Sequence, residues 1–384
     1  MSARSPRGLL RRLEAAALAA GVLWMAGVTA GSDTAAAAFQ SLRDASSLGV
    51  LRWELGDLWT ADTLSPAAVL TIGESPLLLS ARQEVARLWS DQRGETPAET
   101  GTDSDVVVPV EETPLEAPNA PDNGVAARTL VPTDPSGYTV CGRVYISNST
   151  DYALSVSALT EQFDAELTGE GPQILILHTH GSEAYTPPAG TEVVWSGDHR
   201  TTDSRYNVVR VGDAMADVFS AAGISVLHDR TLYDYPSYSG AYDRSLSAIQ
   251  SYLAQYPTIH FILDIHRDAI EDSQGREYKV VSTVEGEGTA AQMTLVVGSD
   301  GSGLTHPSWM ENLKLASALQ EDLLTSYPTL MRPILLRNSR YNQHATTGSL
   351  LVEVGAAGNS PEEALLAGQL LAQRMVEVLQ SRSK

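Results

Sequence analysis

From about Val140 to the carboxyl terminus the sequence repeats one pattern, and that pattern restricts the fold more than any other feature. Short runs of Ile, Leu and Val without polar alternation (Ile174–Leu177, Ile224–Leu227, Ile259–Ile265, Met293–Val297, Leu350–Val354) are separated by segments with helical periodicity: Asn207–Ala222, Arg244–Gln255, Pro307–Ser326 and Pro361–Leu379. Runs so rich in Ile, Leu and Val belong to strands covered on both faces. Strand and helix in alternation predict an α/β fold, a mainly parallel sheet flanked by helices. The last helix has the clearest start, with Ser360 as cap, Pro361 in the first position and Glu362 and Glu363 in the first turn.

Three of the apolar runs end in side chains that bind metals or move protons. Ile174 to Leu177 leads into His178, Thr179, His180, Gly181, Ser182 and Glu183; Ile259 to Ile265 leads into His266; Leu350 to Val354 carries Glu353, followed by Gly355. Carboxyl ends of strands are where such sheets place ligands and catalytic groups. Two imidazoles and two carboxylates are the components of a hydrolytic zinc site, in which three ligands leave one position open and a carboxylate handles the proton. His180 and Glu183, three residues apart in a tight loop, and His266 from a neighbouring strand supply the ligands, and Glu353 suits the general base. His178 and His180 lie on the same side of an extended chain, so either could be the ligand; His180, beside Gly181 and outside the strand, is preferred. Asp264 is placed to orient a ligand imidazole, and His228, at the end of Ile224–Leu227, to line the site. Tyr233–Tyr242 is a tyrosine-dense loop suited to sugars or peptides, and the run Arg340–Gln343, with Asn342, is placed to meet substrate.

Composition narrows the chemistry. The single cysteine, Cys141, excludes an internal disulfide and a cysteine-rich metal cluster, and all eight histidines lie between His178 and His344. A net charge of −21 offers no basic surface for nucleic acid.

Before this region the chain changes character. Arg4, Arg7, Arg11 and Arg12 precede an uncharged stretch from Ala15 to Gly31, the pattern of a cytoplasmic end and a membrane anchor in residues 1–31, with the remainder outside the cytoplasm. At about 17 residues the stretch lies between a signal-peptide core and a full span, and Ala35–Ala38 offers a cleavage site. Residues 32–90 read as a juxtamembrane segment. Residues 91–139 read as an acidic linker, because between Asp91 and Asn123 nine acidic residues face only Arg93.

Several motifs in one order carry a family resemblance: Val144-Tyr-Ile-Ser-Asn-Ser-Thr150, His178-Thr-His-Gly-Ser-Glu-Ala-Tyr185, Asn207-Val-Val-Arg-Val-Gly212, His228-Asp229, Tyr235-Pro-Ser-Tyr238, Asp264-Ile-His-Arg-Asp268, His306-Pro-Ser-Trp309, Arg340-Tyr-Asn-Gln343 and Leu351-Val-Glu-Val-Gly355. Together they resemble the stage II sporulation protein P family, from about Val140 to the end. The resemblance implies a membrane-anchored, zinc-dependent N-acetylmuramoyl-L-alanine amidase with added crosslink endopeptidase activity. It implies septal peptidoglycan as substrate during engulfment, and stage II sporulation proteins D and M as partners. It also implies a fold similar to the zinc-dependent cell-wall amidases, His180 and His266 as ligands, Glu353 as catalytic carboxylate, and Arg267 within the motif that carries His266. Such amidases often draw a glutamate ligand from the first helix. Here Ser204, Tyr206 and Asn207 stand near that place, which returns the third ligand to Glu183.

Overall fold

The computed structural model describes residues 59–60, 63–64, 112–116 and 123–382. The expected anchor (1–31), nearly all of 32–90, and most of the acidic stretch lie outside the described residues. The chain divides into two compact units, Met1–Thr102 and Asp103–Lys384. In the first, β1 (Trp59–Thr60) pairs antiparallel with β2 (Thr63–Leu64). Among the described residues no helix is long and apolar enough to cross a membrane.

The second unit opens with β3 (Glu112–Glu116) and β4 (Ala126–Pro132), followed by β5 (Thr139–Cys141) and β6 (Val144–Asn148). A single turn of helix, α1 (Val156–Leu159), leads to β7 (Ile174–Leu177), α2 (Val208–Ala221), β8 (Val226–His228) and α3 (Ala241–Gln255). Then come β9 (Phe261–Asp268), β10 (Tyr278–Val284), β11 (Gly288–Ala291) and β12 (Met293–Gly298). The unit closes with α4 (Trp309–Ser326), β13 (Ile334–Arg337), β14 (Gly348–Ala356) and α5 (Pro361–Arg382).

Eight strands form the main sheet, in the order β5-β6-β13-β12-β14-β9-β7-β8. Pairing is parallel at β6–β13, β13–β12, β14–β9, β9–β7 and β7–β8, as the alternation predicts. It is antiparallel at β5–β6 and at the central β12–β14 junction. The reversal at β12 has a topological cause. No crossover helix separates β9 from β12; the intervening chain makes the β10–β11 hairpin beyond the carboxyl end of β9 and re-enters from that end, beside Val354.

The apolar runs are buried on both faces. Ile174 and Ile176 of β7 enter a core with Val211, Met215 and Phe219 of α2, Leu319 of α4 and Leu370 of α5, whereas Leu175 and Leu177 turn to Ile262 and to Ile249 of α3. Each such side chain contributes roughly 1.5–3 kcal/mol when fully buried. The start of α5 is a reciprocal cap: Glu363 N donates to Ser360 Oγ (3.2 Å) and Ser360 N to Glu363 Oε2 (3.0 Å).

Part of residues 91–139, read from the sequence as linker, is sheet. β3 pairs antiparallel with β4, and β4 parallel with β10, in a four-stranded sheet of order β11-β10-β4-β3. Leu130 of β4 is buried with Ile270, Val280 and Ala356. β3 lies within the acidic stretch, and β4, which follows it, buries Thr129 and Leu130.

Candidate active site

β7, β9 and β14 run parallel, so their carboxyl ends open on one edge. β7 leaves the extended conformation after Leu177, and a turn closed by Glu183 N donating to His180 O (3.0 Å) brings His180 and Glu183 to one point. On β9, Phe261, Leu263 and Ile265 face the main core, which sends Asp264 and His266 to the opposite face with Ile262. On β14, Glu353 is the register partner of His266, and Leu351 that of Asp264. Parallel pairing in register therefore sets the general-base candidate beside a ligand candidate on one face.

One ligand atom each from His180, Glu183 and His266 lies within 4.8 Å of the others. His180 Nδ1 is 3.5 Å from Glu183 Oε1, and His266 Nδ1 is 3.4 Å from Glu183 Oε2. All three residues are buried, at 1%, 4% and 2% exposure. Two imidazoles and a carboxylate converging on one point fit a divalent ion of the zinc type.

The surroundings hold these donors in place. His266 Nε2 lies 3.0 Å from Asp264 Oδ1, which leaves Nδ1 facing Glu183. Asp264 is itself fixed by Thr179, whose N (2.8 Å) and Oγ1 (2.6 Å) donate to its two oxygens. Burial disfavours charge on Asp264, but His266 and Thr179 outweigh it and keep its carboxyl below the ordinary range. Burial likewise opposes protonation of His266, and the Asp264 and Glu183 carboxylates overcome it, raising the imidazole well above its usual value. Glu183 is held well below a normal carboxyl despite burial, by His180, His266 and Arg267. Its Oε2 accepts from Arg267 N (3.2 Å) and its Oε1 from Arg200 Nη2 (3.3 Å).

The structure separates the two histidines that the sequence left open. His180 joins the candidate metal group with Glu183 and His266. His178 turns to the α2 face, where its Nδ1 donates to Ile265 O (3.0 Å) and its Nε2 lies 2.8 Å from His228 Nε2. Burial and the adjacent His228 hold His178 down to about 3. His228 in turn contacts Asp213 (3.1 Å), so it does not line the metal group; strand alternation carries it to the other face. Gly212 of α2 makes room for the pair, since a Cβ there would stand 2.6 Å from His228 Nε2 and 2.7 Å from His178 Nε2.

Arg267 and Asn342 brace the site through hydrogen bonds to neighbouring chain. Arg267 donates to the carbonyls of Ala184 (3.1 Å) and His199 (2.9 Å). Asn342 donates to Tyr242 O (2.8 Å) and Ser245 Oγ (3.1 Å), and Ser245 is hydrogen-bonded to Thr179. The tyrosine loop divides its labour: Tyr233 is buried and donates to Asp229, Tyr238 stacks on His180 at 4.6 Å, and Tyr235 is exposed.

Sequence reasoning missed Arg200 and Asp234. Arg200 joins Glu183 to the buried Asp234 (2.6 Å) and lies over the ring of Tyr238 at 4.8 Å. It stands in an irregular stretch without periodicity, and only the fold brings its carboxylates near. Tyr185, buried with its hydroxyl donating to Val354 O (3.0 Å), fastens the turn to β14 and was visible only as part of a motif.

Against this geometry, comparison with known proteins is decisive on family. The sequence pattern described as stage II sporulation protein P matches residues 111–376. The chain belongs to that family. A curated relative, the stage II sporulation protein P of Bacillus subtilis (strain 168), is 29% identical over 211 residues, covering 52% of this chain and 49% of the relative. The chain thus spans about half the length of the curated relative it matches. Among solved structures, the N-acetylmuramoyl-L-alanine amidase AmiC2 of Nostoc punctiforme is similar at 12% identity and a TM-score of 0.33, over 55% of this chain and 97% of that one. The CwlD amidase of Clostridioides difficile, in complex with the GerS lipoprotein, is similar at 16% identity and a TM-score of 0.34, over 54% and 97%.

Proposed function

We propose that this protein is a zinc-dependent peptidoglycan hydrolase that cleaves the amide between N-acetylmuramic acid and the L-alanine of the stem peptide, with peptide crosslinks as a second target. The observation that carries the reading is the convergence of His180, Glu183 and His266 with Glu353 in register beside His266. Family membership supports a role in sporulation, at the septum that is thinned during engulfment.

His180, Glu183 and His266 would hold the ion, which when bound acidifies a water molecule and polarises a carbonyl. The chain's own residues do the rest. The Asp264 carboxylate, 3.0 Å from His266 Nε2, favours the proton on that nitrogen, so that Nδ1 would offer its lone pair. Arg267 N and Arg200 fix both oxygens of Glu183 and prevent the carboxylate from swinging away. Glu353 takes the proton of the attacking water and returns it to the leaving nitrogen. Tyr238 and Tyr242 pack on His180, at 4.6 and 5.4 Å, and limit bulk water on that side.

The basic residues before the apolar stretch support a single-pass anchor with the catalytic unit outside the cytoplasm. In that setting the partners are stage II sporulation proteins D and M and the membrane, with no nucleic acid.

Metal analysis combined with activity on sacculi tests the roles. The wild type should hold one zinc and digest. Glu353→Gln should keep the zinc and lose about 10²–10⁴-fold in rate, and His266→Ala should lose both. A fully active Glu353→Gln would remove the assigned base.

A further inference from the structure

The chain that leaves Glu183 does not simply return to α2. It runs outward to Val194 and Trp195 and folds back through Arg200. The inner end of the return is pinned to the turn that carries Glu183. Glu183 and Arg200 form a backbone bridge, Ala184 N donates to His199 O (2.9 Å), and Thr201 N donates to Ser182 O (2.8 Å). The outer part is closed on itself by Ser196 N donating to Arg200 O (2.8 Å) and Thr201 Oγ1 to Val194 O (2.7 Å). Arg200 ties the hairpin to Glu183 and Asp234, and Arg267 holds the His199 carbonyl.

At the tip of this fixed projection stand two consecutive apolar side chains in water, Val194 at 85% exposure and Trp195 at 45%. Trp195 has the ring of His199 against its edge, at 6.1 Å and 65°. Six large hydrophobic side chains are exposed among the described residues, and three of them sit on the two loops that flank the metal group: Val194 and Trp195 here, and Tyr235 on the loop whose Tyr238 stacks on His180. Exposed apolar groups concentrated at the rim of a site mark a surface that a ligand covers.

The chemistry of the tip selects the ligand. Val194 O and Ser196 N are already taken up within the hairpin, by Thr201 Oγ1 and Arg200 O, which leaves less of the tip for an extended peptide to pair with as a strand. What remains is a flat indole face with negative charge density over its rings. A pyranose presents a face of C–H groups with the opposite polarity and hydroxyls that stay in water at its edge. We propose that Trp195, flanked by Val194, is the platform on which a sugar ring of the glycan strand stacks, while the amide carried by that strand reaches the metal group. This inference rests on the function proposed above and adds to it the side of the site that takes the glycan.

The test is binding by the purified full chain to glycan strands stripped of stem peptides and, separately, to free stem peptides. Wild type, Trp195→Ala and Trp195→Phe are compared. Trp195→Ala should weaken glycan binding by about five-fold or more and leave the response to stem peptides unchanged, with Trp195→Phe recovering most of the loss. On sacculi the same variant should raise KM by a similar factor, with kcat within about two-fold, as loss of uniform binding requires. Because the side chain is half in water, zinc content and the thermal unfolding midpoint should match wild type. Equal glycan binding by wild type and Trp195→Ala, or a loss confined to stem peptides, overturns the inference. If the wild type still digests sacculi in that case, the proposed function stands; a wild type that neither binds glycan nor digests sacculi rejects both.

Discussion

Replacing Asp264 by asparagine separates charge from geometry at the metal group. Asp264 Oδ1 accepts Thr179 N–H at 2.8 Å and faces His266 Nε2 at 3.0 Å, while Oδ2 accepts the Thr179 hydroxyl at 2.6 Å. An asparagine with its oxygen in the Oδ1 place keeps the first two contacts. Its amide then donates to Thr179 Oγ1, whose own proton turns to Ser245 Oγ, 2.8 Å away. Every hydrogen bond has a replacement, so stability should change by no more than about 1 kcal/mol. What disappears is the negative charge behind His266, which strengthens Nδ1 as a donor. Partners of ligand histidines are worth about 10–100-fold in metal affinity. The neutral isostere should fall at the lower end, about ten-fold or 1.4 kcal/mol. Asp264→Ala, which also leaves Thr179 N–H buried without an acceptor, should cost a further 1–3 kcal/mol or so of folding stability. Zinc competition against a chelator of known affinity, with urea unfolding alongside, reads both quantities. An Asp264→Asn protein that holds zinc as tightly as wild type would refute the argument that Asp264 acts through His266.

Gly212→Ala should destabilise the fold by about 1–3 kcal/mol in urea unfolding, because its Cβ would strike the rings of His178 and His228. A helix gaining alanine for glycine without that clash would instead be stabilised by about 1 kcal/mol, so the sign decides. His306, buried with neither ring nitrogen hydrogen-bonded, is held down to about 4 by burial and then by His344 and Arg340, against Asp300. Its neutral form therefore contributes stability that is complete above about pH 6.5 and is lost as pH falls toward 4. Relative to a His306→Gln protein, the wild type should lose roughly 2 kcal/mol between pH 7 and 4.5. Parallel stability profiles for the two proteins would show that His306 is not the group responsible.

What the sequence disclosed, and what it hid, follows from the range of the interactions. Strands such as Ile174–Leu177 and the capped start of α5 are local, because a short β-branched run or a Ser360–Glu363 box carries its own signal. The placement of His180, Glu183, His266 and Glu353 was legible because strand ends in a parallel sheet share an edge. The division between His178 and His180 was legible only as a preference for His180, since it depends on where β7 leaves the extended state, a choice made by the turn and by the space that Gly212 provides. Arg200 was invisible for a related reason. Its partners Glu183 and Asp234 come from separate loops and meet only after the sheet has formed. β3 was lost in the acidic stretch and β4 in the linker drawn on beyond it, and the reversal at β12 could be seen only once the β10–β11 hairpin had a place.

The proposed reaction is cleavage of the bond joining glycan to stem peptide, with a metal held by His180, Glu183 and His266. Digestion of purified sacculi by the full chain, with and without a chelator and with products identified by mass, tests it most directly. The expected result is chelator-sensitive release of peptides that begin at L-alanine, leaving glycan strands bare at the lactyl group. Intact sacculi in the presence of metal-loaded protein, or release of fragments cut only within the peptides, would contradict it.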